Sequence, residues 1–195
     1  PFLLAFTIAL PSYSVFAEEE NQAKETQTNE TNKTQADETT ANDTLSLAAE
    51  TAVLIDAASG EILYDKDADK KMYPASITKL MTILLALENG KLTDEITFSH
   101  DAVYNIEPGS AHIAILEGET LTLEQVLRAI ILRSANEASN GVAEYVDGSV
   151  EAFAKHMTER AKELGCTNTN FVNANGLFDE NHYTTAHDMA LIARE

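Results

Sequence analysis

The chain has 195 residues and a formal net charge of −19, from 32 acidic and 13 basic side chains. An acidic chain without a basic stripe is poorly suited to bind nucleic acid or to dock electrostatically on anionic lipid. The single cysteine, Cys166, excludes an internal disulfide and a cysteine-based zinc site, and we expect it to be a small packed thiol.

Two segments precede the part of the chain that is expected to fold. Residues 1–17 begin with the apolar run PFLLAFTIAL and end in VFA, which is typical of a signal peptide that lacks its basic start and is cleaved after Ala17. Residues 18–44 carry eight carboxylates, two lysines and no apolar residue larger than alanine. Such a segment buries too little surface to offset its ordering entropy, which predicts a disordered acidic spacer. We therefore expect an exported protein, secreted or in the cell envelope, whose folded domain is residues 45–195.

The domain is predicted to be a β-hairpin followed mainly by helices. Gly60 lies between two strand-like segments, at 52–55 and 61–64. A helix over 76–87 is apolar nearly all round, which predicts a place at the centre of the protein. Periodicity and end signals predict further helices from Leu121 to Arg133, over 137–146 and over 150–164, and one capped by Thr185; segments 95–98 and 112–116 are candidate strands.

A serine and a lysine stand three residues apart in the segment YPASITKLMT. Ser76 is placed to cap the helix, but Lys79 then falls in the first turn, where the helix dipole favours anions. Residues at this spacing share a helix face, so a neutral Lys79 amine could take the hydroxyl proton of Ser76 during attack on a carbonyl. Its pKa would have to fall by about 3 units, which requires burial and a second nearby cation. An isolated SxxK more often means a serine cap and a surface lysine, but the apolar helix leaves Lys79 little surface to reach.

A second polar pair follows the helix that ends near Arg133. Ser134 and Asn136 lie in the segment ILRSANEASN, on a predicted turn between two helices. Asn136 alone is explained by a helix cap. Together, a hydroxyl that relays a proton and an amide that binds a peptide carbonyl suit a cleft next to a nucleophile.

These motifs carry a resemblance to a known family. SITK at 76–79 and SAN at 134–136 match the first two signatures of the penicillin-recognising serine enzymes. From about Ala52 to the last residue, the chain resembles D-alanyl-D-alanine carboxypeptidases, which are low-molecular-mass penicillin-binding proteins. The stretch GCTNTNFVNANGLFDENHYTTAHDMALIA is long and unusual enough to make chance a poor explanation.

The resemblance implies an α/β fold in which an antiparallel sheet is flanked by helices, with a helical subdomain. It implies Ser76 as the acylated nucleophile, Lys79 as its proton acceptor, and Ser134 with Asn136 as relay and substrate-orienting pair. The backbone N–H of Ser76 would form half of an oxyanion hole. The implied substrate is a peptidoglycan pentapeptide ending in D-Ala-D-Ala, with β-lactams as covalent inhibitors and no cofactor or metal.

One family signature is missing, because no KTG-like triplet follows Ser134. The chain also begins without methionine and stops inside a predicted helix. We therefore expect a fragment with an incomplete sheet that is inactive by itself. The expected remainder would carry the triplet, the other strands and, as in many family members, an amphipathic membrane anchor.

Other interpretations remain open at this point. His182, His187, Asp188 and Asp179 suggest a metal site, although their spacing matches no familiar one and Thr185 with Asp188 is typical of a helix cap. A triad of Ser76 with one of these histidines is conceivable but unnecessary beside Lys79. A serine β-lactamase shares both motifs, but no ExxLN-like segment follows Ser134. The alternative outside the enzymes is a non-catalytic penicillin-binding sensor or cell-wall binding module.

Overall fold

The computed structural model describes residues 46–195. The predicted signal peptide and acidic spacer lie outside the described residues. The strands are β1 (Ala52–Ile55), β2 (Ile62–Lys66), β3 (Glu95–Thr97) and β4 (Thr120–Thr122). The helices are α1 (Lys79–Asn89), α2 (His100–Tyr104), α3 (Leu123–Arg133), α4 (Asn136–Asp147), α5 (Val150–Glu163) and α6 (Ala186–Arg194), with a 3₁₀ turn at Ala75–Thr78 before α1.

The predicted hairpin is present, with its second strand slightly later than expected. Strands β1 and β2 pair antiparallel, and Gly60 adopts φ +80° in the turn between them. Helix α6 packs against β1. The Arg194 guanidinium, at the end of α6, donates to the carbonyls of Ala57 and Ala58 at 2.9 and 3.0 Å. The described part of the sheet is therefore tied to the last helix through the hairpin turn.

The helices α1 to α5 form one core. Helix α3 begins with a capping box, in which the Thr122 and Gln125 side chains satisfy each other's backbone N–H groups. Its apolar residues recur with helical periodicity and turn one face inward, as predicted. Helices α1, α3 and α5 pack around α4, and the largest buried apolar side chains among them are Met81, Leu85, Leu123, Val126, Val142, Phe153 and Met157. The predicted packed thiol is confirmed, since Cys166 is 2% exposed and burial raises its pKa to about 12.

The predicted start of the central helix is wrong. Ser76 caps nothing and lies in the 3₁₀ turn, and α1 begins only at Lys79. Ala75, the residue before Ser76, adopts φ +48°, which is incompatible with a regular helix entry. The helix is central on one side only. Leu80 and Leu87 of α1 are 42% and 52% exposed, as is Ile77 in the preceding 3₁₀ turn at 52%.

The candidate strand at 112–116 is also wrong. Its backbone does not pair with another strand, because the Ile113 N–H donates to the Glu137 carboxylate at 2.6 Å. Ala114 adopts φ +63°, which breaks an extended run. The partner of β3 is instead β4, with Glu95 opposite Thr122. Within residues 46–195, none of the helices has the length and apolar character required to cross a bilayer.

Candidate active site

The 3₁₀ turn presents Ser76 on an exposed surface, directly above a buried lysine. Ala75, with its positive φ, turns the chain sharply just before Ser76. Non-glycine residues in this region of the φ/ψ map cost about 1–3 kcal/mol and cluster at functional sites. Lys79 follows as the first residue of α1 and is only 4% exposed. Its Nζ lies 3.3 Å from the Ser76 Oγ.

The Lys79 amine has three polar neighbours, and their chemistry is unequal. Nζ donates to the Asn136 Oδ1 at 2.8 Å and to the backbone carbonyl of Asn175 at 2.6 Å. Carbonyl oxygens can only accept hydrogen bonds. The third neighbour, the Ser76 hydroxyl, can accept or donate. When the amine is neutral, its two hydrogens therefore satisfy the carbonyls and its lone pair is left for the Ser76 proton.

Burial lowers the pKa of the Lys79 amine toward neutral pH. Desolvation lowers the pKa of Lys79 from 10.5 to about 8, while the negative charge of Glu137 acts in the opposite direction. At pKa 8, about a tenth of the amine is unprotonated at pH 7. Burial is the cause of this lowering, which stops short of the fall of about 3 units for which the sequence analysis expects a second nearby cation.

The second motif meets the first at the end of α3. Ser134 is the C-cap of α3 and adopts the left-handed conformation, with φ +54°. Its hydroxyl donates to the Ser76 Oγ at 3.0 Å. Asn136 does not cap α4, because it is the first residue of that helix and its side chain instead holds Lys79. Ser76 Oγ is thus contacted by both Lys79 and Ser134.

The loop at residues 173–177, which sequence reasoning did not assign to the site, contacts both α1 and the 3₁₀ turn. Besides the Asn175 carbonyl that binds Lys79, the Ala174 carbonyl accepts from the Thr82 hydroxyl at 2.6 Å. A Cβ on Gly176 would lie 1.9 Å from the Ala75 carbonyl oxygen, so only glycine allows the two segments to approach this closely. The Asn-Gly pair at 175–176 was a visible turn signal, but not its contact with Ala75.

Asn140 and His182 support this loop from two sides. The Asn140 Oδ1 accepts from the Asn175 Nδ2 at 3.1 Å. His182 is 2% exposed, and its Nε2 lies 2.7 Å from the Thr78 hydroxyl within the 3₁₀ turn. Its Nδ1 accepts from the Val172 N–H at 3.1 Å, and burial lowers the pKa of this imidazole to about 4. His182 is therefore neutral near pH 7 and links the Ser76 turn to residues 172–183.

Comparison with known proteins identifies the family of the chain. The family model for D-alanyl-D-alanine carboxypeptidase matches residues 33–195. The chain belongs to the D-alanyl-D-alanine carboxypeptidase family. It is 42% identical to D-alanyl-D-alanine carboxypeptidase DacF of Bacillus subtilis over 77% of its own length, and it spans 39% of that protein. The matched region is therefore well under half of the length of that relative.

Solved structures of carboxypeptidases and penicillin-binding proteins share the fold. The crystal structure of D-alanyl-D-alanine carboxypeptidase DacD from Francisella tularensis aligns with a TM-score of 0.71 at 34% identity, covering 77% of this chain and 37% of that one. Penicillin-binding protein 5 from Haemophilus influenzae aligns with a TM-score of 0.71 at 32% identity, covering 77% and 45%. The expected fold class, antiparallel strands flanked by helices, is thus confirmed.

The acidic and imidazole side chains that suggested a metal have other partners in this carboxypeptidase-family chain. The His187 Nδ1 lies 3.1 Å from the Asp69 Oδ1, and Asp179 accepts from the Asn181 N–H. Asp188 does not close a capping box with Thr185, because its carboxylate accepts from the Asn168 N–H and the Thr169 hydroxyl at 2.8 and 2.7 Å. Among residues 46–195, no three His, Cys, Asp or Glu side chains are arranged to hold a metal ion.

Proposed function

We propose that the whole protein is a serine D-alanyl-D-alanine carboxypeptidase that works through an acyl-enzyme on Ser76. The observation that supports this most strongly is the set of contacts around Lys79. Two carbonyls occupy its hydrogens and leave its lone pair for the hydroxyl of Ser76. Family membership supports the substrate, a peptidoglycan stem peptide that ends in D-Ala-D-Ala.

The proposed reaction has two halves. The Ser76 Oγ attacks the carbonyl carbon of the penultimate D-alanine while its proton passes to the Lys79 Nζ. Ser134, which contacts Ser76 at 3.0 Å, relays a proton to the departing nitrogen, and free D-alanine leaves as the C–N bond breaks. A water molecule then attacks the acyl-enzyme ester, and its proton returns through Lys79. Ser76 is regenerated and the shortened peptide is released.

Asn136 has a double role in this proposal. Its side-chain oxygen fixes the Lys79 amine at 2.8 Å, which leaves its NH₂ group to bind a carbonyl of the substrate peptide. The sequence after Ser134 contains no KTG-like triplet, and the chain spans only 39% of DacF, so the activity is proposed for the whole protein.

Penicillin labelling tests the proposal directly. Mass spectrometry of the whole protein after incubation with benzylpenicillin should show one covalent adduct on the peptide that contains Ser76. The Lys79→Ala variant should keep its circular dichroism spectrum and lose the adduct. A label on another residue, or full labelling of Lys79→Ala, would contradict the assignment.

Turnover separates the proposal from its rivals. Steady-state assays with a diacyl-D-Ala-D-Ala peptide should release many equivalents of D-alanine per protein, whereas a sensor or binding module releases one at most. Rapid hydrolysis of penicillin would favour a serine β-lactamase instead. The sequence after Ser134 lacks the ExxLN-like segment that such enzymes use to hold the deacylating water.

The proposed substrate lies outside the cytoplasm, which agrees with the predicted signal peptide. We propose that residues 1–17 direct export, that residues 18–44 are a spacer, and that residues 45–195 belong to the catalytic domain. N-terminal sequencing of the protein from the cell envelope or medium should give a chain that starts at Glu18. A chain that retains residues 1–17 would contradict cleavage there.

A further inference from the structure

One cavity is lined by none of the four residues that the proposed reaction uses, Ser76, Lys79, Ser134 and Asn136. It encloses about 350 Å³ between α2 and the loop of residues 106–116, and we call it the α2 cavity. This volume lies in the range of small-molecule sites. Its walls are largely apolar and include Val103, Ile106, Pro108, Ile115 and Leu116.

One wall of the α2 cavity is a buried carboxylate that forms no contact ion pair within the described residues. Glu137 of α4 is 1% exposed and lines the cavity. Its Oε1 accepts from the Ile113 N–H at 2.6 Å, but its Oε2 has no hydrogen-bond partner. In the described part of the chain, no Lys, Arg or His nitrogen lies within 4.0 Å of it. A buried carboxylate oxygen without a partner is costly, so such an atom calls for an explanation.

The loop beside Glu137 contains a second polar atom in the same condition. The Ser110 Oγ is buried and has no partner, and with the Glu137 Oε2 it completes the set of such side-chain atoms in residues 46–195. Directly after Ser110 the loop is held to α4, since the Asn136 N–H donates to the Ala111 carbonyl at 2.9 Å and the Ile113 N–H donates to the Glu137 carboxylate. The Glu137 Oε2 and the Ser110 hydroxyl are thus both unpaired. They lie on two segments that hydrogen bonds hold together.

We propose that the α2 cavity binds a primary aliphatic amine, with its ammonium group on Glu137 and its carbon chain along the apolar wall. An ammonium group donates three hydrogen bonds and would form the contact ion pair that Glu137 lacks among the described residues. The apolar side chains favour a hydrocarbon body over a hydrated inorganic ion. The formal charge of −19 on the whole chain also attracts cations over anions.

Calorimetry with matched ligands tests this on the whole protein. Pentylamine should bind with one-to-one stoichiometry, and 1-pentanol, of nearly the same shape, should bind about 10- to 100-fold more weakly because it carries no charge. Glu137→Gln should weaken pentylamine binding by a similar factor and leave the pentanol affinity unchanged. Glu107→Gln is the matched control, because Glu107 also lines the cavity but is exposed; it should have little effect.

Two further arms make the result decisive. Comparing the binding of a capped lysine dipeptide with that of its norleucine counterpart tests whether the bound amine can be part of a peptide. Pentylamine represents a free amine. Equal binding of pentylamine and pentanol, or undiminished amine binding by a folded Glu137→Gln variant, would overturn the proposal. If Glu137→Gln does not fold, the comparison of pentylamine with pentanol on the natural protein decides. These experiments measure binding and not turnover, so their outcome is independent of the proposed carboxypeptidase activity.

Discussion

Replacing Gly176 by alanine tests whether the loop at 173–177 sets the position of Ser76. The new Cβ would lie 1.9 Å from the Ala75 carbonyl oxygen and 3.0 Å from the Thr78 hydroxyl. Non-bonded atoms cannot approach this closely, so the loop or the 3₁₀ turn has to move. Because Ala75 directly precedes Ser76, displacement of the turn also displaces the Ser76 Oγ from Lys79.

The expected loss of stability in Gly176→Ala has two contributions. Alanine at φ +85° costs about 1–2 kcal/mol because the left-handed conformation crowds a Cβ. Overpacking against Ala75 adds about 1–3 kcal/mol. Gly148→Ala is a matched control, since Gly148 has φ +78° but a Cβ added there would meet no other atom within 4 Å. It should show the first contribution alone.

Two measurements on the whole protein separate these effects. Urea unfolding should place Gly176→Ala about 1–3 kcal/mol below Gly148→Ala in free energy of unfolding. The rate of acylation by benzylpenicillin should fall about 10- to 100-fold in Gly176→Ala and stay unchanged in Gly148→Ala, since small misplacements of reacting groups have effects of this size. If the two variants were equally stable and equally reactive, the loop would have no part in positioning Ser76.

Two further predictions concern charge. Glu137→Gln removes the carboxylate that favours the Lys79 ammonium, so the pKa of Lys79 should fall below about 8 and the acid limb of the acylation profile should move to lower pH; an unmoved limb would show that Glu137 does not act on Lys79. His182, with its pKa lowered from 6.5 to about 4 by burial, stays neutral in the folded protein while the unfolded chain takes up a proton. The free energy of unfolding should therefore fall as pH drops from 6.5 to 4, by up to about 3 kcal/mol from this group. His182→Gln should show a shallower pH dependence than the natural protein in urea unfolding, and an unchanged slope would contradict the assignment.

The contacts that could be predicted from the sequence are those that depend on local spacing. Ser76 and Lys79 are three residues apart, and the structure places their Oγ and Nζ atoms 3.3 Å apart even though the intervening backbone is a 3₁₀ turn. Helix α3 followed from its apolar period and its end signals. The contact of Ser134 with Ser76 came from the family resemblance, because spacing in the chain says nothing about approach over 58 residues.

The features that were missed depend on tertiary contacts. Nothing in the local sequence shows that the Asn175 carbonyl reaches Lys79 from 96 residues away, or that Gly176 lies against Ala75. The segment at 112–116 is a short apolar run that could form a strand, but the Ile113 N–H donates to the buried Glu137 carboxylate instead of to a neighbouring strand. Ser76 has the residue type of a helix cap, yet the backbone turn at Ala75 places it elsewhere.

Titration of Lys79 tests the proposed chemistry most directly, because that chemistry requires a neutral amine beside Ser76 at moderate pH. Proteins with ¹³C-labelled lysine, natural and Lys79→Met, can be followed by NMR from pH 6 to 11. One lysine should titrate near pH 8, and that signal should be missing from Lys79→Met. The rate of acylation by benzylpenicillin should rise with pH through the same midpoint. A spectrum in which every lysine titrates above pH 10 would contradict the role of Lys79 as the base.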